Sequence, residues 1–161
     1  MTTFSPLTEE VSELLAGSVS DVLGTAFNLG AVPAETSPTA AGVTQVAAAV
    51  GFTGEANGMV YVHISSAFAR SLACRMLGLT DAEIESDDMV NDVVGEFANM
   101  IVGAVKSRLC DSGHRCVLTI PTVMRGPRFQ AEATGGVERR TFHFRCGDDA
   151  LSVELLMKPA G

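Results

Sequence analysis

The stretch Asp87 to Leu109, DDMVNDVVGEFANMIVGAVKSRL, decides how the rest of the chain is read. Met89, Val90, Val93, Val94, Phe97, Met100, Ile101, Ala104 and Val105 recur at helical spacing and predict one long amphipathic helix with a wide apolar face. At about 100° per residue, Asp88, Asp92, Gly95, Glu96, Asn99, Gly103 and Lys106 collect on the opposite side. That side is acidic at its start, dotted with glycine in its middle and basic only at its end. Glycine costs a helix interior about 1 kcal/mol relative to alanine, so Gly95 and Gly103 on an exposed line predict another surface lying close against the helix. Glu96 and Asn99, three residues apart, then stand out together from a smooth track. One is a charged acceptor, the other a neutral donor and acceptor.

These residues do not make a complete active site. Neither Glu96 nor Asn99 is a usual nucleophile, and Ser65 near His63 lacks a nucleophile elbow and a supporting acid. Asp92 and Glu96 lie one turn apart on one helix, facing the same way rather than flanking a glycosidic bond. Phosphate-cradling motifs of the G-x4-GK[ST] and G-x-G-x-x-G types are absent. What the helix offers is an inserting face.

Bulk properties narrow the class. A chain of 161 residues predicts one domain able to bury about two thirds of its unfolded surface. Its hydrophobic content of 47% and mean hydropathy of +0.27 predict a well-filled core or an extra apolar surface buried in an oligomer. The longest uncharged stretch, Thr36 to Gly54, is 19 residues but lacks the Leu, Ile and Phe density of a membrane span. The start, MTTFSPLTEE, carries no secretory signal pattern, so a cytoplasmic protein without a membrane segment is expected. A net charge of −8 argues against nucleic acid, which requires a basic footprint. Cys74, Cys110, Cys116 and Cys146 form no CxxC pair and have no ligand spacing with His63, His114 or His143, so no metal site is expected. They read as free thiols, with Cys74 a buried small hydrophobe.

A first helix is predicted from Thr8 to Asn28, with Thr8 as N-cap and Glu9 and Glu10 in its first turn. Leu29 to Gly42 reads as a loop with a short strand edge. Val43 to Phe52 and Gly58 to Ile64 read as a hairpin, with Asn57-Gly58 as its positive-φ turn pair. Ser65 or Ser66 caps a helix through Leu77 that Gly78 ends. Beyond the central helix, Cys116 to Met124, Arg128 to Thr134, Thr141 to Cys146 and Leu151 to Met157 read as strands. His143 falls on a half-exposed strand face.

An internal repeat is legible. Aligning Val11 to Ser20 with Val90 to Asn99 puts Glu13 on Asp92, Gly17 on Glu96, Ser20 on Asn99 and, further on, Gly24 on Gly103. Two α-β-β units, about 8–78 and 87–158, are expected, the first having lost its site. The alternative is a chance match of two amphipathic helices.

The run Asp92-Val-Val-Gly-Glu96-Phe-Ala-Asn99, with Pro121 downstream, resembles the CheX/CheC/FliY phosphatases of bacterial chemotaxis, whose signature is D/S-x3-E-x2-N followed by a proline. Val50 to Gly54, Gly58 to Val60 and the helix Ala67 to Leu77 resemble the elements preceding the active helix in CheX. The resemblance covers most of the chain from about Thr8 onward. It implies an α/β (α+β) CheC-like fold: duplicated α-β-β units with long helices on a mainly antiparallel sheet. It also implies hydrolysis of the aspartyl phosphate on a CheY-like receiver that brings its own Mg²⁺ and lysine. Asn99 would orient the attacking water, Glu96 would pair with the receiver's lysine, and Asp92, one turn back, would be a supporting contact at the rim; Gly95 and Gly103, read from the helix itself as a close-approach track, would lie on the same partner-binding face. Pro121, one residue closer to Asn99 than the family's norm, would shape a neighbouring strand. The relatives also imply a homodimer. A CheX-like module that docks a receiver without accelerating hydrolysis is the alternative.

Overall fold

The computed structural model describes residues 3–35, 43–127 and 135–158. Among these, three α-helices lie on a seven-strand antiparallel sheet: α1 (Pro6–Phe27), β1 (Val32–Ala34), β2 (Gln45–Gly54), β3 (Asn57–Ser65), α2 (Ser66–Leu77), α3 (Asp87–Asp111), β4 (Cys116–Leu118), β5 (Thr122–Gly126), β6 (Glu138–Cys146) and β7 (Asp149–Lys158). The expected α+β class and antiparallel sheet are both present.

The sheet runs β1-β6-β7-β3-β2, with β4 and β5 end to end beside β2. This order reads alike from both ends if the β6–β7 hairpin is matched to β2–β3, and β1 to the β4/β5 pair. Alternation on the strands sends Val46, Ala48, Val50, Val60, Val62, Ile64, Leu151, Val153 and Leu155 into one core. The helices supply Leu15, Val19, Leu23, Phe68, Leu72, Phe97 and Ile101 to the same core.

Helix ends follow their local chemistry. The first helix starts earlier than its sequence pattern predicts, because Ser5 rather than Thr8 is the N-cap and Pro6 opens the first turn. Thr8 is buried instead, its hydroxyl donating to Glu138 Oε1 at 3.0 Å while the Ser5 N–H donates to Oε2 at 2.8 Å. Burial works against the charge on Glu138, but these hydrogen bonds outweigh it and hold the carboxyl below its ordinary range. Helix α2 matches expectation, with Ser65 as N-cap and Gly78 as left-handed C-cap.

Two strand readings change. The β2–β3 turn does not use Asn57-Gly58 at positive φ. Gly54 takes that role at φ 141°, and the Asn57 amide closes the turn by accepting from the Gly54 N–H and donating to its carbonyl. Gly58 lies within β3, where a Cβ would stand 2.5 Å from Phe52 Cζ and 2.7 Å from the Leu156 carbonyl oxygen. The run from Cys116 to Met124 is not one strand but β4 and β5, separated at Thr119–Pro121. The strand expected at Arg128–Thr134 lies outside the described residues. Cys74 is half-buried against the core rather than enclosed, whereas Cys116 and Cys146 are buried. Burial pushes the Cys146 thiol up to about 11.

Candidate functional site

Helix α3 is capped by Ser86, whose hydroxyl accepts from the Met89 N–H, and Asp87 and Asp88 place negative charge at its dipole-positive end. It is buried over a wider arc than an amphipathic stripe requires. Val90, Val93, Val94, Phe97, Ile101, Val105 and Leu109 are enclosed, and so are Gly95, Ala98 and Val102 on one flank. Ala104, read as apolar-face, is exposed. A line of side chains from Asp88 to Lys106 also remains open. Asp88, Asp92 and Glu96 are exposed on it, and Asn99, Gly103 and Lys106 are half-buried.

Gly95 therefore does not belong to that line. A Cβ there would stand 3.4 Å from Val123 Cγ2 and 3.6 Å from Pro121 Cβ, so the close surface that its missing side chain admits is the chain's own β4/β5 segment. Its assignment to a partner-binding face is corrected on that ground. Gly103 has open space where a Cβ would be, which leaves a shallow place beside Asn99 and Lys106.

Two contacts fix how β5 lies along the helix. Pro121 and Val123 meet Gly95, and further on Arg125 Nε donates to Asn91 Oδ1 at 2.6 Å, with Arg125 Nη1 3.7 Å from Asp87 Oδ1. The strand thus runs antiparallel to α3, one edge of the sheet bordering the line that carries Asp92 and Glu96. Nothing in the sequence pattern singled out Arg125 or Asn91. An Arg on a short edge strand and an Asn beside an acidic residue become a pair only through the strand's register.

The side chains of Asp92, Glu96 and Asn99 make no hydrogen bond or ion pair among the described residues. Glu96 and Asn99 are separated by about 4.5 Å of helix rise on the same side of α3. An unpaired carboxylate and an unpaired carboxamide thus stand side by side, backed by Phe97 and Ala98 in the core. No group of three or more His, Cys, Asp or Glu able to hold a metal ion occurs among the described residues. His63 pairs with Glu154 at 2.8 Å on the sheet, away from this line, and His143 hydrogen-bonds Ser152 at 2.7 Å.

Residues 46–145, well over half of the chain, match the family described as chemotaxis phosphatase CheX. This chain belongs to the CheX family. The matched segment includes the whole of α3 and both strands that border it. No curated protein sequence gives a significant match. Among solved structures, CheX from Desulfovibrio desulfuricans is similar over 92% of this chain and 99% of its own, at 23% identity and a TM-score of 0.77. CheX from Vibrio vulnificus is similar over 92% and 96%, also at 23% identity and 0.77. A Borrelia burgdorferi structure, a complex of CheX with CheY, BeF₃ and Mg²⁺, matches over 92% and 98%, at 20% identity and 0.76. At these identities the structures establish a shared fold. No helix among the described residues is long and apolar enough to cross a membrane.

Proposed function

We propose that this CheX family member accelerates hydrolysis of the aspartyl phosphate on a CheY-like response regulator, using Asn99 and Glu96. The observation that carries the reading is the Glu96/Asn99 couple, which has no hydrogen-bond or ion-pair partner among the described residues and stands on an open line of a helix buried along most of its first three turns. A relative held in complex with CheY, BeF₃ (a phosphoryl mimic) and Mg²⁺ supports the choice of partner.

Phosphoryl transfer is governed mainly by positioning and electrostatics, so one inserted group can complete a site that another protein supplies. The Asn99 amide accepts a hydrogen bond from water through its oxygen and donates to a phosphate or carboxylate oxygen through its nitrogen. A carboxylate at 99 would repel both anions. Asn99 holds the attacking water in line. Glu96 pairs with a lysine of the receiver and fixes the register of the helix. Asp92, one turn back, touches the rim, and Gly103 lets the receiver approach closely. The receiver brings Mg²⁺. The protein acts as a homodimer in the cytoplasm, where its four free cysteines stay reduced. The symmetric strand order supports a duplicated ancestry, with α1 as the silent copy of α3.

The test is the time course of phosphate loss from the organism's purified receivers, with and without this protein. Receiver binding without faster loss would leave a docking module and overturn the catalytic reading. Light scattering of the purified protein reads the dimer.

Glu96→Ala is expected to weaken receiver affinity as well as rate, because an intermolecular ion pair sets docking and register. Raising receiver concentration should restore part of the rate. Failure of concentration to restore any of it, with affinity unchanged, would remove Glu96 from docking.

On α1, Gly17 offers no group to a lysine and Ser20 is too short to reach a buried phosphate. Ser20→Ala should match the wild-type rate, and adding it to Asn99→Ala should leave the residual rate unchanged. A further drop in the double variant would mean that α1 also meets a receiver.

A further inference from the structure

The edge of the sheet beside the Glu96/Asn99 line is broken in a specific way. Between β4 and β5 the chain leaves the ladder for three residues, Thr119, Ile120 and Pro121. Thr119 is clamped to β2: its N–H donates to the Gly51 carbonyl at 2.9 Å, and its hydroxyl accepts from the Gly51 N–H at 2.8 Å. Pro121 is seated on the other side, against Gly95 of α3. Between these two anchored residues the Ile120 side chain is 88% exposed, the most open of the exposed large hydrophobic side chains described.

A single exposed apolar residue is ordinary on a protein surface. Ile120 differs in how it is held and where. Its Cα is one peptide unit, about 3.8 Å, from that of Pro121, which rests on the residue preceding Glu96. Since β5 runs antiparallel to α3, with Arg125 beside Asn91 and Pro121 beside Gly95, stepping back to Ile120 moves toward Asn99. The isoleucine thus stands beside the level of Glu96 and Asn99, on a backbone pinned at both neighbours. An apolar group held that way loses little conformational freedom on docking.

We infer that Ile120 is an apolar anchor for the receiver domain, packing on the receiver's surface next to its phosphorylated aspartate while α3 inserts Glu96 and Asn99. The inference rests on the receiver reading above and adds an affinity-determining residue to that site. A receiver is favoured over a second copy of this chain by continuity with the Glu96/Asn99 line. The edge itself is also a poor template for strand addition, being cut into three- and five-residue pieces, with a proline at the break that has no N–H to donate.

The test separates KM from kcat for the phosphorylated receiver. It adds binding of the same receiver loaded with beryllofluoride and Mg²⁺, light scattering, and thermal melting as a control for folding. Ile120→Ser should raise both KM and Kd about tenfold or more, the scale of exposing one aliphatic side chain, with kcat at saturation close to wild type. Ile120→Leu should stay within about threefold of wild type. Val117→Ser, on the same edge three residues earlier, should leave KM within about twofold.

An unchanged KM and Kd for Ile120→Ser, with Asn99→Ala still inactive, would overturn the anchor and leave the receiver reading standing. Equal effects from Val117→Ser would overturn the assignment to this one residue. A change in self-association in place of receiver affinity would assign Ile120 to a second copy and overturn it too. A wild-type protein that neither binds nor dephosphorylates any of the organism's receivers would remove the receiver reading, and the anchor with it.

Discussion

Asn99→Ala is expected to leave the fold and receiver binding nearly intact while lowering stimulated dephosphorylation on the order of 10²-fold or more, the scale of deleting a positioned polar group from a transition state. Asn99 is half-buried on the open line of α3 and makes no hydrogen bond within the described residues, so truncating it strands no internal partner. Stability should change by under about 0.5 kcal/mol. Two measurements decide it: the rate of phosphate loss at saturating receiver, and affinity for the receiver carrying beryllofluoride. Wild-type turnover in the variant would sink the catalytic assignment. Loss of binding in parallel with rate would make Asn99 a docking residue instead.

The pairing of Glu96 with Asn99 was legible in the sequence because helical spacing alone puts positions three apart on one side. The reading failed where the rule of one apolar face and one open face failed. Gly95 falls on the polar side by angle, yet it is buried, because the segment carrying Pro121 and Val123 lies along the helix there. Angular position on a helix says nothing about such a segment. The glycine did carry the correct physical message, that some surface approaches closely. It did not say whose.

The same limit explains the edge strand. Cys116 to Met124 has the composition of one continuous strand, and only Pro121 hints at an interruption. The break exists because Thr119 satisfies both backbone groups of Gly51 before the ladder resumes at Thr122, a long-range match between segments some 70 residues apart that local pattern cannot contain. Positive φ at the β2–β3 turn likewise falls on Gly54 and not on the Asn57-Gly58 pair that the local pattern favours. Gly58 is required by Phe52 and Leu156 across the sheet, not by the turn.

Phe97→Ala should have the opposite signature to Asn99→Ala. Phe97 lies between Glu96 and Asn99 in the chain but points into the domain, where it is 0% exposed. Its ring meets Phe27, the last residue of α1, at 5.3 Å between centroids and 85° between planes, an edge-to-face contact. Truncation removes buried ring area and leaves a cavity between α1 and α3 that a packed sheet cannot close, so a cost of about 3–5 kcal/mol is expected. Against a total stability of about 5–15 kcal/mol for a natural domain, that consumes much of the margin. Denaturant unfolding should show a lower midpoint at an unchanged slope. Part of the cost belongs to the aromatic pair itself: a cycle of Phe27→Ala, Phe97→Ala and the double variant should give a coupling of about 0.5–1.5 kcal/mol. At temperatures where the variant remains folded, Glu96 and Asn99 still project from the same turns of α3, so receiver-stimulated turnover per folded molecule should stay within a few-fold of wild type. A cost below about 1 kcal/mol would mean that α1 and α3 repack freely. A loss of turnover as deep as that of Asn99→Ala in a fully folded sample would mean that the Phe27–Phe97 contact sets the aim of the inserting face.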